Sequence, residues 1–254
     1  MNNFRPGVSE TTHLYRYLTA PASELPAQAE VGVIFGRKSA PLAELTGLII
    51  ARSKISVISG EVGKDSGDNP LRGIREDDWL VEQATAQGVD TSRVFKDPHH
   101  PQNGIDNARN MVHIICEEAG LTKVETLVAG IHATQVRRLG ATLMRQTEVA
   151  GLPVGNMTFV TSGYRFDAES PFDQYEAAFE AVRMDQLSTG ADTAFDRPEG
   201  LDAFLPHAYA TLDYLDVWLA DQGIKNWSTA DGTLRDVAPG DLPALFEAAH
   251  KSEA

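Results

Sequence analysis

At 254 residues, with Asp and Glu outnumbering Lys and Arg by 36 to 22 and a formal charge of -14 at pH 7, the chain carries a field that repels nucleic-acid backbones and anionic lipid surfaces. Neither nucleic acid nor a membrane is expected as a partner. An anionic small molecule is still admitted, because salt screens distant charge within roughly 10 Å and a pocket answers to its own donors and cations.

The length accommodates one sizeable α/β core with an appendage. Cys116 is the only cysteine, so no intramolecular disulfide forms and a reducing interior is the natural setting. Its neighbours Ile114 and Ile115 mark it as packing rather than as a nucleophile. The first ten residues lack a signal-peptide apolar core, and no apolar run approaches the ~20 residues that span a bilayer. A cytoplasmic location follows as the expectation.

In chain order, the first strand is expected at residues 31–35. Leu42, Leu45, Leu48 and Ile49 then share one helical face behind Pro41, which suits a first turn. A second strand at 55–59 is followed by a helix over 76–87 carrying Trp79, Leu80, Gln83 and Ala84, with Gly88 as its stop. After a third strand at 93–96, Ile105, Ala108, Val112, Ile115 and Ala119 form a stripe ending at Gly120. A fourth strand at 124–129 precedes a helix from about Thr134 through Val136, Leu139, Leu143 and Met144, and a fifth strand lies at 157–161. The runs are continuously apolar rather than alternating, as strands covered on both faces require. Right-handed crossovers then make a Rossmann-like, doubly wound parallel sheet of about five strands the economical topology.

Beyond Ser162 the pattern becomes helical. Ser170 and Pro171 open a helix through Val182, and Ala208, Leu212, Leu215 and Leu219 mark another after Pro206. Residues 196–200 and 222–236 read as loops, and Asp241, Leu242 and Pro243 open a last short helix. The expected division is a ligand-binding α/β domain over 1–165 with a helical extension over 166–254 packed on it. Periodicity chooses no oligomeric state, and a homo-oligomer stays open.

Ligands of open parallel sheets lie beyond the carboxyl ends of the strands, where loops and helix N-termini converge. The first strand end offers Gly36, Arg37, Lys38 and Ser39: a glycine for close approach, two cations and a hydroxyl. The second offers Ser59, Gly60, Glu61 and Gly63, then a polar stretch to Arg75 that reads as a binding loop or lid. The third is the richest, Asp97 to Asn107, with Asn103 placed to cap the next helix and Asp106 and Asn107 in its first turn. After the fourth strand, His132 and Thr134 precede Arg137 and Arg138, whose forked donors suit a phosphate or carboxylate. The fifth adds Ser162, Gly163 and Tyr164. No G-x-G-x-x-G stands at a strand-helix junction, which argues against NAD, and there is neither a P-loop nor a G-x-S-x-G elbow.

The order Val33-Ile34-Phe35-Gly36, Ser59-Gly60, Glu76 ahead of Val89, Asn103 with Asp106-Asn107-Ala108, then Arg137-Arg138 after a strand resembles the DUF218 (ElyC/SanA/YdcF) family over roughly residues 31–161. The segment from Asn103 is the most specific, resembling an N-T-x-E-N-A pattern with Gly104 and Asp106 substituted. Departures are Glu61 for a second glycine, Pro101 for a serine, and Thr134 where a histidine is expected. Without an anchor the chain is more similar to the soluble YdcF branch. The resemblance implies a Rossmann-like fold and S-adenosylmethionine binding, and no known reaction.

Three functions compete. The first is binding of S-adenosylmethionine or a nucleotide, with transfer to a small molecule as an activity, by Gly36, Arg37, Ser59, Gly60, Glu76, Asn103, Asp106, Asn107, Arg137 and Arg138. The second is hydrolysis of a phosphate ester or activated precursor, with Asp97, His99, His100 and Asp106 as metal ligands or base. The third is a non-catalytic sensor or assembly module, which the departures at Glu61, Pro101 and Thr134 favour.

Overall fold

The computed structural model describes residues 5–60, 74–99, 101, 103–189 and 194–221. Glu61, Gly63, most of the polar loop after them, His100, the loop at 222–236 and the short helix at 241–243 fall outside the described residues. The elements run α1 (Val8–Thr19), β1 (Ala29–Phe35), α2 (Ala40–Arg52), β2 (Ser53–Ser59), α3 (Glu76–Ala86), β3 (Val94–Lys96), α4 (Gly104–His113), β4 (Val124–Ile131), α5 (Val136–Val149), β5 (Val154–Thr161), α6 (Pro171–Ser188) and α7 (Leu205–Asp221).

All strand pairings are parallel, in the order β3-β2-β1-β4-β5. The expected doubly wound, Rossmann-like sheet is what the chain forms. Alternation along β1 sends Val31, Val33 and Phe35 to one face, where Ala108, Met111, Val112 of α4 and Val136, Leu139, Leu143 of α5 cover them. Ile34 points to the other, under Leu42, Leu45 and Ile49 of α2 and near Leu80 and Ala84 of α3. Both faces being buried explains the unbroken apolar runs of the central strands.

Helix α2 rides close to the sheet because two strand residues lack side chains. A Cβ at Gly32 would lie 2.6 Å from Ile49 Cγ2, and one at Gly130 would lie 2.6 Å from Ile49 Cδ1. At the amino ends of β1 and β4, Glu30 N donates to Thr126 Oγ1 at 2.9 Å while Glu125 N donates to Glu30 Oε2 at 2.7 Å. This reciprocal clasp fixes the register of the central pair.

The α4 stripe continues past His113 as a π-helical turn, Ile114–Glu118. Helix α5 is preceded by a 3-10 turn, Ala133–Gln135. Helix α1 was not expected: its buried side is only Thr11, Leu14 and Leu18.

The described residues divide into two compact units, one within 19–60 and 74–164, the other within 5–18 and 165–221. The first holds the sheet and α2 to α5. In the second, Ser170 Oγ accepts from Asp173 N to cap α6, and the Arg197 guanidinium bridges Asp185 at 2.6 Å and Asp202 at 2.5 Å. No described helix is long and apolar enough to cross a membrane.

Candidate functional site

The strand order reverses between β1 and β4, which makes their carboxyl ends the topological switch point of the sheet. The turns leaving β1 and β2 meet back to back beside it, on the β2 side of β1. Gly36 N donates to Ser59 O at 2.8 Å. A Cβ at Gly36 would lie 2.7 Å from Gly60 Cα and 2.9 Å from Glu76 Oε2, and one at Gly60 would lie 2.9 Å from Gly36 Cα and 3.0 Å from Glu76 Oε2. Neither position tolerates a side chain, and the Glu76 carboxylate lies against both. Glu76 opens α3 together with Asp77 and Asp78, three acids in a first turn that suit the positive end of the helix dipole.

Behind this junction is a buried polar knot. The Asp97 carboxylate, 2% exposed, accepts from Ser59 Oγ at 2.5 Å, Asn110 Nδ2 at 2.9 Å and His99 N at 2.8 Å. Ser59 Oγ also stands 3.0 Å from the Asn107 side chain. The Asn107 atom facing it is Oδ1, and the one hydroxyl proton of Ser59 serves either that oxygen or the closer Asp97 carboxylate, not both. Arg75 clamps Asp77 with two bonds, at 2.9 and 2.7 Å, and donates to Asp97 O at 2.6 Å. Together these tie the end of β2, the start of α3, the end of β3 and the first turns of α4.

On the other side of the switch point, His132 leaves β4 buried. Arg37 Nη1 is 3.3 Å from its Nδ1, Thr134 Oγ1 is 3.0 Å from the same nitrogen, and the Tyr164 ring lies 4.8 Å away at 58°. Burial first, and the Arg37 charge second, hold the imidazole pKa well below its ordinary 6.5. His132 is neutral at pH 7. The hydroxyls of Ser39, after β1, and Ser162, after β5, are shielded from solvent with no partner among the described residues.

Of the residues expected from sequence, Gly36, Gly60 and Glu76 come into direct contact, and Ser59 and Asn107 meet in the Asp97 knot. Arg37 reaches across to the end of β4. Asn103 caps α4: its side-chain oxygen accepts from Ile105 N at 2.9 Å and Asp106 N at 3.1 Å, while its Nδ2 donates to Asp106 Oδ2 at 3.1 Å. Asp106 also pairs with the exposed Arg109 at 3.1 Å. Arg138 is buried, with Nη1 at 3.1 Å from where a Gly104 Cβ would stand, so it sits against the start of α4; Arg137 is half-buried. For the hydrolytic alternative, Asp97 and Asp106 are engaged separately and His99 is exposed.

Sequence reasoning passed over Asn110 and Asp77, and it set His132 aside in favour of Thr134. The signal for Asn110 was its place one turn beyond Asp106 on the polar side of the α4 stripe. A concavity of about 450 Å³ lies at the β5 edge of the sheet, between the end of α5 and the start of β5, lined by Met144, Thr147, Glu148, Leu152, Val154 and Met157. None of the residues above borders it.

No protein-family model matches the chain, and no curated protein is significantly similar to it in sequence.

Proposed function

We propose that this protein binds a small, polar, nucleotide-like molecule, S-adenosylmethionine first among them, where the turns after β1 and β2 face the end of β4. The observation that carries the reading is the Gly36–Gly60 contact, with the Glu76 carboxylate laid against it, beside the switch point of a doubly wound sheet. The paired glycines let the two turns close on each other and bring the Glu76 carboxylate up against them, where it would accept from ribose hydroxyls or from an ammonium. Arg37 supplies positive charge for a carboxylate or phosphate on the same molecule. Ser39 and Ser162 carry shielded hydroxyls that a ligand would satisfy. The residues present fit S-adenosylmethionine in kind: an acid for its sugar or amine, a cation for its carboxylate. It supplies an activated methyl group when bound, and transfer to a small molecule in the cytoplasm is the activity that such binding would serve.

Calorimetric titration of the folded protein with S-adenosylmethionine, S-adenosylhomocysteine, ATP and GTP tests this. Saturable heat with at least one is expected, weakened about tenfold by Glu76→Gln, which keeps the shape and removes the charge. Gly60→Ala is expected to weaken binding and to lower stability by about 1–3 kcal/mol, since the new methyl group meets backbone. Silence with all four ligands would reject the reading.

A further inference from the structure

We propose that His132 reads the ligand: its imidazole is fixed as the Nε2–H tautomer and donates that proton in a hydrogen bond to an anionic oxygen of the bound molecule, a carboxylate or a phosphate. The inference rests on the binding reading above and names the group that meets the ligand's anion.

The tautomer follows from what stands beside Nδ1. Arg37 Nη1 lies 3.3 Å from it, and a guanidinium has donors but no acceptor, so Nδ1 carries no proton. The Thr134 hydroxyl, 3.0 Å away, then also donates to Nδ1. The one proton of the neutral ring is therefore on Nε2. Among the described residues, two groups in contact with the ring titrate or bear charge: the Arg37 guanidinium from the turn after β1, and the Tyr164 phenol from the segment after β5. Arg37 opposes a second proton on the imidazole, as does burial. Among the described residues Nε2 has no hydrogen-bond partner, whereas Nδ1 has two. A neutral donor beside a fixed cation receives an anionic oxygen without another positive charge having to be buried. It does so where β4 emerges next to β1, at the point where the sheet reverses.

The alternative is that His132 serves only to hold Arg37 in place. Two substitutions separate these, because an asparagine amide stands in for Nδ1 and a glutamine amide for Nε2. His132→Asn keeps a partner for Arg37 and loses the donor; His132→Gln keeps the donor. Calorimetry with S-adenosylmethionine, whose anion is a carboxylate, and separately with ATP and inorganic phosphate, is expected to rank affinity wild type, then H132Q, then H132N, with H132N about 10- to 100-fold below wild type. The arm showing that ranking identifies the anion. H132N binding as tightly as H132Q, or more tightly, overturns the inference. Nitrogen-15 spectra of the unsubstituted protein give a second reading that needs no folded variant: the Nε2-protonated neutral form is expected at pH 7 and above, and a proton on Nδ1 there overturns the inference alone. Silence of the unsubstituted protein with every ligand removes the binding reading and the inference with it.

Discussion

The Asp97 carboxylate accepts three hydrogen bonds in a setting closed to water, so deleting it strands a serine hydroxyl, an amide and a backbone N–H together. Asp97→Ala is expected to lower stability by about 3 kcal/mol in urea denaturation, most of it from donors left without acceptors. Asn103 acts differently, since its oxygen is engaged by the start of its own helix. Asn103→Ala should lower stability by about 1 kcal/mol and leave ligand affinity within about twofold, a combination that a ligand-reading asparagine would not give. His132 makes stability depend on pH. Its folded-state pKa lies below the unfolded value of 6.5, so as pH falls through 6.5 the unfolded chain gains the proton first and the folded state loses ground. Stability is expected to decline as pH falls below about 7, and less so in His132→Asn, measured by thermal unfolding at each pH. The Asn103 cap was legible because capping is a matter of three neighbouring residues. The Arg37–His132 contact was not, because 95 residues separate the partners and no spacing rule joins them.

Helix α2 shows how an element is placed by what its neighbours lack. Ile49 is fully buried and fits over Gly32 and Gly130, so Ile49→Ala opens a cavity above the two central strands. Its expected loss is about 3 kcal/mol, against about 1 kcal/mol for Ile49→Val, both read as midpoint shifts in denaturant. The central strands β1, β2 and β4 and their helices were legible because burial on both faces writes continuous apolar runs. The edges were less so. β5 begins at Val154, and Gly155 and Asn156 are exposed, so the pattern that betrayed its second half is missing from its first. β3 is only three residues long. Helix α1 escaped because its three buried positions stand among Glu10, Thr12, His13 and Arg16, a stripe too thin to rise above a polar N-terminus.

At the scale of the whole molecule, alternation of strand and helix signals was enough to imply one parallel sheet, and the order β3-β2-β1-β4-β5 is the arrangement that right-handed crossovers and a single reversal produce. Which strand ends would flank the switch point was legible from that order. Which side chains would meet in it was not, since that depends on distances between turns that pattern alone does not set. The reversal also governs time. β1 with β2, and β4 with β5, are each neighbours joined by one crossover helix, but β1 finds β4 only by closing a loop between Glu30 and Glu125, 95 residues apart. Closure over such a span is slow compared with helix formation. The two halves of the sheet therefore come together late, and a refolding chain should regain its helical circular dichroism before the β1–β4 pairing gains protection from hydrogen exchange.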